Sequence, residues 1–150
     1  MTIFFNTRGE KYTEFRTTSE HSIELDGERW RSVEHYVQAQ RFNCPKLKAQ
    51  VRDADYAFEG KTLAREQPEA LRGDWNDVRY DMMEKAVQAK FKRHSSLAAK
   101  LRATGKAEII EASACSHYWG VGADGTGQNK LGKILMKVRR QLQEQPAYSI

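Results

Sequence analysis

Cysteine is scarce in this chain: there are two, Cys44 and Cys115, far apart in the sequence. No C-x-x-C or H-x-x-x-H pattern exists, so the paired ligand spacing of a zinc site is missing and no metal is expected. Two isolated cysteines read as reduced thiols, not as a disulfide framework. Long apolar runs are also missing. Nothing approaches the roughly 18 residues that span a bilayer, which excludes a helical membrane protein. The opening Met1–Asn6 has no basic region and no signal-peptide stretch, so the cytoplasm is the expected compartment. Repeats, low-complexity segments and linkers are absent too. A single domain is therefore expected over residues 1–150, with its core at about 3–144 and a short tail from Pro146.

What is present fits a folded, water-facing chain: 39% hydrophobic and 30% charged residues, over a length that can close a core. The net charge of +5 favours anionic partners, phosphates or nucleic acid, and equally serves solubility.

Local patterns predict more helix than strand. Ile3–Phe5 reads as a strand. His21–Leu25 alternates and meets Asp26-Gly27, a favoured hairpin turn, with Glu28–Trp30 returning. Ser32 reads as the N-cap of a helix from Val33 to about Asn43, stopped by Cys44-Pro45. Pro45 suits the start of the next helix. A short helix follows from near Gly60 to before Pro68. A long one runs from about Asp77 to Arg93, with Asp74 or Asn76 as its cap. Ser95 or Ser96 caps a helix ended by Gly105, Ala107–Ala112 reads as a strand, and Asn129–Glu144 as the last helix. The class is α+β: a compact, mainly helical domain with a small β-sheet.

Three segments carry candidate chemistry. On a helix, Glu34, Gln38 and Arg41 share one face and present an acid, an amide and a fixed cation together. Such a stripe can hold a polar ligand, or it can be a solvated face with a Glu–Arg pair. His35 beside it reads as structural. The second segment, His117–Lys130, packs Gly120, Gly122, Gly125 and Gly127 ahead of a helix. Closely spaced glycines let backbone N–H groups approach an anion. The formal G-x-G-x-x-G match is not a dinucleotide fold, since 25 residues follow Gly125, and Gln128 stands where a P-loop needs lysine. Trp119 stands at the mouth of this loop and can stack on a base or sugar; otherwise it is a core residue beside a surface loop. In the third segment, Arg72–Asp77, Trp75 packs against the long helix or faces a ligand.

In order and spacing these segments resemble the NADAR family. Glu34-His35-Tyr36-Val37-Gln38-Ala39-Gln40-Arg41-Phe42 matches its first signature. Arg72, Asp74-Trp75, Arg79, Met82 and Lys90-Phe91 match its middle one. Tyr118-Trp119-Gly120-Val121-Gly122, Gly125, Gly127, Asn129, Leu131-Gly132 and Leu135-Met136 match its last. The resemblance runs from about Ile3 to Leu142. It departs at Glu14–Thr18, at Arg41 (lysine in the family) and at Ser116 (often aspartate).

The resemblance implies a metal-independent N-glycosidase without a cofactor, acting on the C1–N bond of a ribose that carries phosphate. The implied substrates are a ribosylaminopyrimidine phosphate of riboflavin biosynthesis or ADP-ribose attached to guanine, with nucleic acid as a possible carrier of the modified base and no membrane partner. The alternative is a non-catalytic module that binds ADP-ribose or a nucleotide. By position Glu34 takes the key acidic role, with Asp124 as a second carboxylate. Arg41 and the backbone of Gly120, Gly122 and Gly125 are expected to hold phosphate; Trp119, Trp75 and Tyr36 to stack; Gln38 and Asn129 to bond the ribose hydroxyls. Arginine at position 41 cannot act as an amine nucleophile at neutral pH.

Overall fold

The computed structural model describes residues 1–6 and 11–145; the tail expected from Pro146 lies outside them. The order is β1 (Thr2–Phe5), a 3-10 turn (Thr13–Phe15), β2 (Ile23–Leu25), β3 (Glu28–Trp30), α1 (Val33–Ala39), α2 (Pro45–Asp53), α3 (Glu59–Glu66), a 3-10 turn (Pro68–Ala70), α4 (Trp75–Arg93), α5 (Ser95–Ala103), β4 (Glu108–Glu111) and α6 (Lys130–Glu144). The chain divides into two compact units, one of residues 17–90 and one of residues 1–16 with 91–150.

In the unit of residues 17–90, β2 and β3 form the expected hairpin, pairing Ile23 with Trp30. Asp26 and Gly27 both take positive φ, 56° and 78°, as a two-residue primed turn requires. The Tyr36 hydroxyl donates to Asp26 Oδ2 at 2.8 Å and Lys85 Nζ to Oδ1 at 2.8 Å, which pins the hairpin tip to α1 and α4. The Lys85 bond, with a smaller part from Tyr36, holds the Asp26 carboxyl below its ordinary value. Ser32 caps α1 as expected, accepting from His35 N. The helix ends at Ala39, short of Asn43. The backbone at 41–43 is drawn off to residues 70–72: Asn43 N–H donates to Ala70 O and Arg72 N–H to Arg41 O. The long helix starts at Trp75, and the Asp74 carboxylate binds the Arg72 guanidinium instead of capping it.

In the other unit β1 lies parallel to β4, with Ile3 opposite Ile109. Phe15 packs edge-on against Phe5 and Phe91. Helix α6 buries the expected face of Leu131, Ile134, Leu135, Val138 and Leu142, each worth about 2 kcal/mol of transfer free energy. Gly132 lets α6 lie directly on β4, since a Cβ there would stand 2.2 Å from Ile109 O. The small sheet expected from the sequence is thus two separate two-stranded ones.

Candidate functional site

Glu34 is held from three directions. Its backbone N–H donates to Thr17 O at 3.0 Å. The Thr17 hydroxyl donates to Oε2 at 2.7 Å, and Gln38 Nε2 donates to Oε1 at 2.8 Å. Arg41 Nη1 in turn donates to Gln38 Oε1 at 3.0 Å. One donor on each oxygen suits a carboxylate, which only accepts. The expected face of Glu34, Gln38 and Arg41 is therefore a connected chain. Thr17, which the sequence did not single out, is part of it. Arg41 is half-buried, and its Nε finds no partner among the described residues. Burial pulls its pKa below the ordinary arginine value while Glu34 opposes that.

Glu34 lines a cavity of about 210 Å³ together with Arg31, His35, Tyr56, Phe58 and Lys61. His35 is buried, with Nε2 3.0 Å from Ala54 O and Nδ1 2.7 Å from Ser32 Oγ. A carbonyl only accepts, so Nε2 carries a proton, and in the neutral ring the Ser32 hydroxyl donates to Nδ1. The ring ties α1 to the end of α2. Burial lowers its pKa, with Arg31 adding to this and the Ala54 carbonyl opposing it. The unfolded chain takes up this proton below about pH 6.5 and the fold resists it, so the fold is favoured more as pH rises through that window. Stability is expected to fall on acidification from about pH 6.5, and His35→Asn is expected to lose that component of the pH dependence. Urea melts at stepped pH values check this; an unchanged slope in the variant would refute it.

Helix α3 reaches this chain of bonds through Gly60, where a Cβ would stand 2.7 Å from Gln38 Cβ. Gly60→Ala must displace Gln38. Overpacking of this kind costs about 1–3 kcal/mol, and a misplaced Glu34 lowers turnover by about tenfold to a hundredfold. Melting curves and kinetics on the folded variant test both; full activity would show that Gln38 does not position Glu34.

Three of the expected ligand residues have structural partners in the fold. Tyr36 is fully buried, its ring edge-on to Trp30 at 5.2 Å, and burial pushes its hydroxyl well above the ordinary tyrosine value. It offers no face to a base. Asn129 is buried, with Oδ1 accepting from Glu111 N–H and Nδ2 donating to Ile109 O, so its amide is spent on β4 and not on a ribose. Gly120 is buried against Glu111, whose carboxylate a Cβ would meet at 2.4 Å; the missing side chain makes room for an acid of this same unit.

The tip of that loop, Ala123 to Thr126, is exposed. Asp124 is exposed, accepts from the Thr126 N–H and hydroxyl, and lies 3.2 Å from His117 Nε2. The Thr126 bonds, with His117 adding less, hold its carboxyl below the usual carboxylate range, which suits an anion and not a proton donor. Gly122 (φ 71°) passes over the His117 ring, where any Cβ would collide, and Gly125 (φ 77°) faces open space. Trp119 is half-buried and edge-on to Tyr118 at 4.7 Å. Trp75, in the unit of residues 17–90, is half-buried at the first turn of α4. Glu111 is a buried carboxylate that sequence reading placed only in a strand. Burial raises its pKa, while Ser113 N–H and Asn6 Nδ2 oppose this.

The NADAR domain model matches residues 3–143. The chain belongs to the NADAR family. It is 36% identical over 140 residues to N-glycosidase YbiA of Escherichia coli, covering 93% of this chain and 88% of that one. It is 37% identical over 145 residues to N-glycosidase Npun_R5314 of Nostoc punctiforme, covering 95% and 93%. The Vibrio vulnificus riboflavin biosynthesis protein VVA0006 is 43% identical over 129 residues, which is 86% of this chain and 35% of that protein. The NMR structure of E. coli YbiA superposes with a TM-score of 0.85 at 33% identity, covering 100% of this chain and 94% of that one. The α+β class and the NADAR resemblance read from the sequence are thus the fold and family of the chain.

Proposed function

We propose that this NADAR chain is an N-glycosidase that hydrolyses the C1–N bond of a phosphorylated N-riboside. The observation that carries the reading is the Glu34 carboxylate, fixed by Thr17 and Gln38 at the wall of a cavity, in a chain closely related to proteins named N-glycosidases. One family model spans both units, which supports reading the chain as one NADAR domain. No helix among the described residues is long and apolar enough to cross a membrane. A cytoplasmic enzyme acting on a diffusible or polynucleotide-borne riboside fits that.

Cleavage of an N-riboside passes through a transition state with positive charge at C1. A fixed carboxylate beside C1 stabilises that charge and orients the attacking water. Water adds its oxygen to C1, the C1–N pair leaves on the base nitrogen, and the water's proton ends on that nitrogen. Arg41 places a cation next to Glu34 that suits a substrate phosphate. It supplies no amine, so the route runs by direct attack of water without a covalent sugar adduct at this position.

Two substrates are proposed: a ribosylaminopyrimidine 5′-phosphate, in keeping with the name of the Vibrio relative, and ADP-ribosyl-guanine in an oligonucleotide. Incubation of purified protein with each, followed by mass spectrometry of the released base or ADP-ribose, decides between them. Release from one names the substrate class. Release from neither, with ADP-ribose still raising the melting temperature, overturns the enzyme reading in favour of a binding module.

A further inference from the structure

Two large aromatic side chains stand in water beside the Glu34 cavity. Tyr56 is 69% and Phe58 61% exposed, and their rings stack on each other with centroids 5.6 Å apart and planes 21° from parallel. Neither ring is needed for the core; Ala57 between them is the buried residue.

The backbone beneath the pair is fixed. Tyr56 O accepts from Glu59 N–H, and Phe58 O accepts from Lys61 and Thr62 N–H, so the loop is locked into the first turn of α3. On the other side His35 donates to Ala54 O, and Arg31 Nη1 donates to Asp55. His35 and Arg31 flank the helix start that carries Glu34, so the aromatic pair and the carboxylate are held to one another by short bonds.

The pair also lines two hollows that differ in charge. On the Glu34 side the cavity brings Lys61, which makes no ion pair among the described residues, and Arg31, which is paired with Asp55, together with the carboxylates of Glu20, Glu34 and Asp55. On the far side a more open hollow of about 440 Å³ is lined by Asp53, Asp55 and Glu59. The Glu34 side thus offers a phosphorylated ligand two cations, where the far hollow has none among its lining residues.

We propose that Tyr56 and Phe58 form the wall on which the planar base of the substrate stacks, setting the base next to the Glu34 carboxylate and selecting substrates with a flat leaving group. The assignment rests on the N-riboside reading above. It adds specificity residues that lie outside the three segments resembling the family. Stacking of a base on an exposed ring is worth about 1–3 kcal/mol, which converts to about tenfold in kcat/KM per ring.

The test uses Tyr56→Ala, Phe58→Ala and the double variant, with Tyr56→Phe as the ring-preserving control. It follows kcat/KM on the cleaved substrate and inhibition by ribose 5-phosphate, which has the sugar and phosphate but no base. The expected result is a loss of about tenfold for each alanine and about a hundredfold for the pair. Tyr56→Phe should stay near wild type, with ribose 5-phosphate inhibition and melting temperature unchanged in all. Unchanged kcat/KM in the double variant overturns the wall while leaving the glycosidase intact. Equal weakening of ribose 5-phosphate overturns it as well, because the rings would then be shaping the pocket and not stacking a base. A wild-type protein that releases no base from either substrate removes the glycosidase reading and the wall with it.

Discussion

Glu34→Gln is expected to lower kcat by about a thousandfold and to leave KM within a few-fold of wild type. The substitution is nearly isosteric, and the surroundings can accept it. Gln38 Nε2 now donates to one oxygen and Thr17 Oγ1 to the other, 2.8 and 2.7 Å away. The amide oxygen of the variant can keep the first bond. Its NH₂ can donate to the Thr17 hydroxyl, which accepts as well as it donates. Shape, hydration and helix capping therefore survive, and only the negative charge is removed. If that charge stabilises the developing cation at C1, the loss falls on the transition state and not on ground-state binding. Single-turnover kinetics with excess enzyme separate the two. A variant that turns over within a few-fold of wild type sinks the assignment and moves the catalytic charge elsewhere. A variant that loses binding in step with turnover gives Glu34 a positioning role only.

How far the sequence reveals this arrangement depends on the distance over which each piece is held. Glu34 and Gln38 are legible because a helix repeats every 3.6 residues, and α1 keeps that repeat over Val33–Ala39, while Arg41 lies just past its end and still reaches Gln38. The hairpin is legible because Asp-Gly at its tip has a specific backbone requirement. Thr17 is not. It reaches Glu34 from 17 residues away, outside any regular element, and no local pattern marks a threonine for that. Gly60 reads as an ordinary helix start; only the approach of α3 to Gln38 shows why a side chain is excluded. The pairing of β1 with β4 spans more than a hundred residues and leaves no trace in either four-residue strand. The early end of α1 has the same origin, because bonds from 41–43 to 70–72 outweigh a local helical pattern.

Tyr56 and Phe58 are a different case. The sequence pattern singles out neither ring, and only their exposure in the folded chain makes them a candidate surface. Tyr36 reads as a stacking residue within the first signature and is instead the packing partner of Trp30. A family motif thus mixes fold and chemistry: on α1, Gln38 holds the Glu34 carboxylate while His35 and Tyr36 hold the helix in place.

Asn129 is the sharpest instance of a motif residue whose work is structural, and Asn129→Ala is expected to destabilise the protein by about 3–5 kcal/mol. The two backbone groups it binds, Glu111 N–H and Ile109 O, lie on the edge of β4 that faces away from β1. The neighbouring residues Glu108 and Ala112 donate towards β1 instead. The Asn129 amide, with one donor and one acceptor, stands in for the peptide group of a third strand. Alanine leaves both partners buried and unpaired, at about 1–3 kcal/mol each. Position 129 is also left-handed, with φ 51°, which asparagine tolerates and alanine does not, adding about 1 kcal/mol. Asn129→Gly removes that last part alone and is expected to be about 1 kcal/mol less harmful. Gly132 leaves room for this amide, since a Cβ there would stand 2.4 Å from the Asn129 amide atoms. In a chain of this size the loss corresponds to a melting temperature lower by about 10 °C. The discriminating measurement is KM on the folded fraction at low temperature. If Asn129 only holds α6 to β4, KM stays at the wild-type value while stability falls. A KM raised tenfold with stability intact would return Asn129 to the ribose.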